Sequence, residues 1–277
     1  GLLAFIRYFW DVLEPETKLV EGWAMDTICQ HLEAVTLGKI TRLLINVPPG
    51  FMKSLITNVW WPAWEWGPMN MPHIRHVSFS YSSGLTMRDN VKFRTLVSSE
   101  KYRALWGDRF EVEKEGEIRI TNNKQGFKFA SSVGGIGTGE RGDRIVLDDP
   151  HSVTQSESDI VRAQTIRWFR ETMSNRLNDL ERSTITIIMQ RVHQGDVSGE
   201  ILEQGMPYCH VMIPMRFETG REVVNTLGWI DPRTEDGELA WPERFTPVAV
   251  DEMEATMGSW ATAAQHQQRP APRGGGI

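Results

Sequence analysis

The stretch LLINVPPGFMKSL, residues 43 to 55, limits the fold more than any other part of the chain. The apolar run Leu43 to Val47 reads as a buried strand, Pro48, Pro49 and Gly50 as a turn, and the residues from Lys53 as the start of a helix. Strand, turn and a helix opening on Lys-Ser is the layout of the phosphate-binding loop G-x-x-x-x-G-K-[ST]. In that loop glycines let backbone N–H groups face phosphate oxygens, the lysine reaches the terminal phosphates and the hydroxyl ligates Mg2+. Lys53 and Ser54 are in place, but Val47 and Met52 stand at the two glycine positions. Taken alone, the pair reads as an ordinary helix start, so the rest of the chain has to decide.

The flanking pattern is that of an α/β domain. Residues 1–40 carry apolar residues at helical spacing and predict two helices, broken near Glu14-Pro15-Glu16-Thr17. After the first strand come a helix from about Lys53 to Trp66, a strand over 76–82 and a long amphipathic helix through GLTMRDNVKFRTLVSS. KYRALWG predicts a short helix, and FEVEKEGEIRITNN with GFKFASS predicts antiparallel strands carried as an excursion from a parallel sheet. A glycine-rich loop, SVGGIGTGERG, leads into RIVLDDP. Helical spacing from Ser156 to Leu177, the β-branched strand STITIIMQR, a short helix in DVSGEILEQG and a strand in YCHVMIPM follow. This alternation predicts a mainly parallel sheet covered by helices on both faces. The chain divides into a helical segment 1–40, a core 41–217, a small C-terminal subdomain 218–268 and a Pro/Gly-rich linker 269–277.

Composition narrows the class. The 277 residues, 40% hydrophobic and 24% charged, suffice for one large core. No apolar run approaches the roughly 18 residues of a membrane span, and the first residues lack a signal peptide's features, so the expectation is a cytosolic protein with no membrane partner. Cys29 and Cys209 lack C-x-x-C spacing and read as buried free thiols. A net charge of -6 excludes a general nucleic-acid-binding coat but leaves room for a local basic rim. The eleven tryptophans read as filling for cores and seams.

Two further strand ends carry chemistry. In RIVLDDP, an apolar strand delivers two adjacent carboxylates to the sheet edge where ligands of α/β proteins bind. Asp148 is assigned to a metal ion and Asp149 to orienting or deprotonating a water in phosphoryl transfer. The competing reading is a turn, because Asp-Asp-Pro also ends strands for conformational reasons. In TIIMQRVHQGD, Gln190 and Arg191 stand where a strand end can contact both the hydrolysed phosphate and a moving part of the protein, or simply be solvated. His193 and Asp196, three residues apart in a loop, point to structural hydrogen bonding rather than a metal pair.

LLINVPPGFMKS, HVSFSYSSGLTMRDN, GTGERGDRIVLDDP, TIIMQRVHQGDVSG and ATAAQHQQRPAPRGGG, in that order, resemble the ATPase domain of the large terminase subunit of tailed double-stranded DNA bacteriophages. The resemblance implies an ASCE-class P-loop motor that binds ATP and Mg2+, assembles into a ring, with a pentamer the expected state, and drives double-stranded DNA into a procapsid. Portal protein and small terminase subunit are its implied partners, and the host cytoplasm, with docking at the portal, its implied location. A nuclease domain usually follows the linker in that family, and none is expected in this chain. Carried across residue by residue, Pro48, Pro49, Gly50, Phe51, Met52, Lys53 and Ser54 form the phosphate loop, and Ser54 and Asp148 hold the metal. Gln190 and Arg191 match the coupling motif. Many relatives have arginine where Gly50 stands, glycine where Met52 stands and glutamate where Asp149 stands. Asp149 therefore acts alone or with another carboxylate such as Glu140.

Ring motors of this class are usually completed by a neighbour's arginine, for which Arg141 is preferred over Arg88 and Arg94. Trp23, in the segment before the loop, is the candidate for packing near the base, with core packing as the alternative. Lys124 and Lys128 are candidates for DNA phosphate contacts. Two other readings stay open: a helicase-like or other P-loop translocase, and an interaction module whose altered loop binds no nucleotide.

Overall fold

A computed structural model describes residues 1–135 and 139–271. Helices α1 (Leu2–Leu13) and α2 (Trp23–Thr36) precede strand β1 (Arg42–Asn46). The helix after the loop begins as α3 (Lys53–Leu55), passes through a π-helical turn, Ile56–Trp60, and ends as α4 (Trp61–Trp66). Pro62, which has no N–H to donate, lies just past the widened turn, where the regular hydrogen-bond ladder is already interrupted. Strand β2 (Arg75–Ser80), α5 (Ser83–Ser98) and α6 (Glu100–Trp106) follow. Next come β3 (Val112–Glu115), β4 (Arg119–Asn122), β5 (Phe127–Ser132) and β6 (Arg144–Asp148). The remaining elements are α7 (Asp159–Thr172), β7 (Thr184–Met189), α8 (Val197–Glu203), β8 (Cys209–Met212) and α9 (Pro247–Ala261).

The strands form one sheet in the order β3-β4-β5-β2-β6-β7-β1-β8. From β5 to β8 every neighbouring pair is parallel, and β3 and β4 add an antiparallel edge. The expected antiparallel excursion is thus only partly right. β5 is antiparallel to β4 but parallel to β2, so GFKFASS belongs to the main sheet. Its sequence could not reveal this, because Phe127, Phe129 and Ala130 are buried whichever neighbour they pair with.

Both faces of the sheet are covered, so β6 and β7 are apolar or otherwise buried along their whole length and show no inside-outside alternation. Leu44, Ile145, Leu147, Ile185 and Ile187 face Phe169 and Met173 of the α7 region and Val197 and Ile201 of α8. Leu43, Ile45, Val146 and Ile188 face the opposite way, into a core with α1, α2, α4 and Trp241. Trp60, Trp61, Trp66 and Trp241 are fully buried, in keeping with tryptophan as core filler. Arg233 fastens residues 214–238 together: its guanidinium donates to the carbonyls of Pro214, Met215 and Glu238 and pairs with Asp231. Helix α9 opens on Thr246, whose hydroxyl accepts from the Ala249 N–H, and continues past a kink at Gly258 into a π-helical turn, Thr262–His266. Part of the glycine-rich loop before β6 and the last six residues of the expected linker lie outside the described residues.

Candidate active site

Loop 47–52 leaves β1 at the carboxyl edge of the parallel strands, and β6 and β7 end at the same edge with β7 between β6 and β1. That is the edge where open α/β sheets hold ligands. Within the loop Gly50 has φ +82° and Met52 φ +54°. Met52 therefore adopts the left-handed conformation that glycine takes most easily, at a cost of about 1–2 kcal/mol for an L side chain. The glycine of the pattern is missing, but the backbone turn it would allow is present. Phe51 is buried against Trp241 and Phe245, and Arg244 donates to the Gly50 carbonyl at 3.0 Å. A Cβ on Gly50 would lie 3.0 Å from the Phe245 ring, so space as well as φ favours glycine there.

Lys53, buried at the start of α3, places Nζ 2.8 Å from Asp149 Oδ2. Asp148 accepts on Oδ2 from Asn58 Nδ2 at 3.0 Å, and the Ser54 hydroxyl stands beside the carboxyl. The π-helical turn that carries Asn58 thus faces the end of β6. Burial and the neighbouring charge of Asp149 raise the Asp148 carboxyl above the usual carboxylate range, against the opposing pull of Ser54 and Lys53. Its Oδ1 is buried with no hydrogen-bond partner. A divalent cation beside it would hold it ionised, and the Ser54 hydroxyl and Asp148 carboxylate are the hard oxygen donors that suit Mg2+. Among the described residues no group of three or more His, Cys, Asp or Glu could hold a metal unaided.

Asp149 itself has φ +42° and is held on several sides. Its Oδ1 accepts from the Gln190 N–H at 3.1 Å and its carbonyl from the Tyr81 N–H at 3.1 Å. Gln190 Oε1 is buried and has no partner. Arg191 is buried and turned away from the carboxylates: its Nε meets both oxygens of Asp196 at 2.9 and 3.0 Å. Asp196, the N-terminal cap of α8, also accepts from the N–H groups of Val192, His193 and Gly199. His193 Nδ1 accepts from Gly195 N–H, so the His193 and Asp196 pair is structural.

The other expected residues fall elsewhere. Arg141 is exposed and precedes β6, at the edge opposite Lys53, where it lines a cleft with Arg75, Arg119 and Asn178. Arg141 is therefore not beside its own chain's carboxylates. Glu140 is paired with Arg119 at 2.6 Å in that cleft and does not assist Asp149. Arg88 lies on α5 and is tied to the buried Asp89, and Arg94 donates to the Glu115 carbonyl. Lys128 is not a loop residue: it sits in β5, fully buried, with Nζ donating to Asn90 Oδ1 at 2.6 Å. Burial lowers its pKa to about 8 despite Asp89 and Asp148, and it cannot contact DNA from there. Lys124 is exposed in the β4–β5 turn. Trp23 opens α2 with the Arg233 guanidinium 5.2 Å from its ring, while Trp241, beside Gly22, packs on Phe51 together with Phe245. Sequence reading missed Asn58, Trp241, Arg244 and Phe245. WPERF was the available signal, an aromatic and charged cluster inside an otherwise irregular stretch.

No family model matches the chain, and no curated protein sequence matches it. Among solved structures it is similar to the large terminase of bacteriophage HK97, with TM-score 0.55 and 14% identity, over 97% of this chain and 54% of that one. The chain thus spans about half the length of that relative, and the likeness shows a terminase-like α/β fold.

Proposed function

We propose that the chain is the ATPase motor domain of a viral large terminase, coupling ATP hydrolysis to movement of double-stranded DNA into a procapsid. One observation carries this reading: the Lys53-Ser54 helix start and the Asp148-Asp149 strand end, far apart in sequence, meet within hydrogen-bonding distance at one sheet edge. The terminase-like fold supports the biological setting.

In this reading ATP phosphates lie over residues 48–54 and draw Lys53 from Asp149. The released Asp149 carboxylate, steadied by the Gln190 N–H, orients the attacking water and receives its proton. Ser54 and Asp148 would hold Mg2+. When bound, Mg2+ neutralises charge on the phosphate oxygens. A neighbour's arginine, Arg141 in this proposal, completes the site in a ring, and portal protein, small terminase subunit and DNA are the proposed partners. A cytoplasmic setting fits the described helices, none of which is long and apolar enough to cross a membrane.

The test is ATP hydrolysis with Mg2+ by the unaltered chain and by Lys53→Ala, with circular dichroism as the check on folding. Loss of hydrolysis with the fold intact is expected. An unaltered chain that binds no ATP, or equal rates for the two proteins, would leave the interaction-module reading in its place.

A further inference from the structure

The Gln267-Gln268 pair, which the ATPase reading leaves without a role, reaches back into the core at two points. Gln267 Oε1 accepts from the Arg216 N–H at 3.0 Å, and its Nε2 donates to the Arg216 carbonyl at 2.9 Å. Gln268 is buried, with φ +52°. Its Oε1 accepts from the Arg191 N–H at 2.9 Å, while its Nε2 donates to the carbonyls of Gln265 and His266.

Consecutive amides of an extended strand point to opposite sides. Past the end of β7, the Gln190 N–H reaches Asp149 and the next one, on Arg191, reaches Gln268. The Arg191 side chain cannot follow a shift of the backbone freely, because Asp196 grips it with both carboxylate oxygens. The two-residue corner is thus a short lever. Asp149 lies at one end, Gln268 at the other, and the Arg191 and Asp196 ion pair is the pivot.

We propose that Gln268 is a positioning residue: it holds the Gln190-Arg191 corner against Asp149 and carries a change at the carboxylate to the π-helical turn Thr262–His266 and the chain beyond it. This deepens the ATPase reading and rests on it. When a nucleotide takes Lys53 from Asp149, the carboxylate re-seats, the corner moves with it, and the Gln268 contact tightens or breaks.

Two measurements on the 277-residue chain test this. The first is hydrogen–deuterium exchange over residues 262–268 with and without a non-hydrolysable ATP analogue and Mg2+. Exchange is expected to change on binding, although the hydrogen bonds of Gln268 run to Arg191, Gln265 and His266 and not to Lys53. The second compares Gln268→Met, which removes the acceptor at nearly the same size, with Gln268→Glu, which keeps an acceptor oxygen. Gln268→Met is expected to bind the analogue within about twofold of the unaltered chain but to lose tenfold or more in kcat, with Gln268→Glu recovering part of the loss. A purely structural contact would not divide affinity from turnover in this way. Unchanged exchange over 262–268 in a chain that binds the analogue overturns the inference by itself, as does normal turnover by Gln268→Met. Failure of the unaltered chain to bind ATP would instead overturn the ATPase reading beneath it.

Discussion

Lys53 Nζ lies 2.8 Å from Asp149 Oδ2, so the lysine that would bind phosphate is paired with the carboxylate that would serve water. Neither group can do both at once. The pair predicts different losses on the two sides. Lys53→Ala should lose nucleotide affinity and hydrolysis together. Asp149→Asn should keep affinity and drop kcat by ~10²–10⁴, the range for removing a positioned general base. Isothermal titration with an ATP analogue, beside steady-state kinetics, separates the two. Equal affinity losses in both variants would remove Asp149 from the water-activating role.

Gly50 is the loop residue with least freedom to change. At φ +82°, with the Phe245 ring 3.0 Å from where a Cβ would stand, Gly50→Ala meets both backbone strain and a contact. The expected cost is about 1–2 kcal/mol, read as a lower denaturant midpoint, with weaker nucleotide binding as the loop shifts off Phe245. An unchanged midpoint would mean that the loop relaxes without strain.

The fold class and the meeting of Lys53, Ser54, Asp148 and Asp149 were legible because each signal is local: an apolar strand, a turn and polar residues at the strand end. Met52 argued against a phosphate loop only because a pattern records residue type, whereas the backbone responds to φ. Partners set by tertiary packing were not legible. Lys128 looked like a free surface lysine, and only the placement of β5 inside the sheet buries it against Asn90. The hydrogen bond from Arg191 to Gln268 spans 77 residues, with no spacing rule to reveal it. Arg141 shows how topology overrides nearness in sequence: it stands before β6 and Asp148 ends that strand, so the two lie at opposite edges of the sheet.

A buried ion-pair network at that far edge gives a pH dependence. Glu65, fully buried near the end of α4, accepts from Arg144 Nε at 2.9 Å and from Thr36 at 2.8 Å and lies 2.9 Å from His76 Nε2. Burial alone would raise its pKa, but Arg144, His76 and Thr36 outweigh it and lower the value from 4.5 to about 2. A folded pKa below the unfolded one means that the unfolded chain binds more protons. The stabilisation is therefore present above about pH 4.5 and is lost as the pH falls toward about 2. Glu65→Gln should cost about 3–5 kcal/mol near neutral pH, because it leaves Arg144 buried and unpaired. Urea titrations from pH 7 to pH 3 should show the gap between the two proteins narrowing with acid. A constant gap would mean that Glu65 is not the titrating group.

Arg141 cannot serve its own chain's carboxylates, because strand β6 runs between them at about 3.3 Å per residue and the two lie at opposite edges of the sheet. If it acts in the proposed ring, it acts on a neighbour, and complementation detects that. Arg141→Ala keeps an intact phosphate loop but has no arginine to give, and Lys53→Ala has no working loop but keeps the arginine. Each alone should be inactive under assembling conditions, with Arg141→Ala down by ~10³ or more, the scale of losing a trans-acting arginine. Mixed before assembly, the two should regain hydrolysis, because some Arg141→Ala subunits then sit beside a neighbour that carries Arg141. ATPase rate against mixing ratio should rise to a maximum at intermediate ratios. A mixture no faster than its components would exclude Arg141 and return the choice to Arg88 and Arg94.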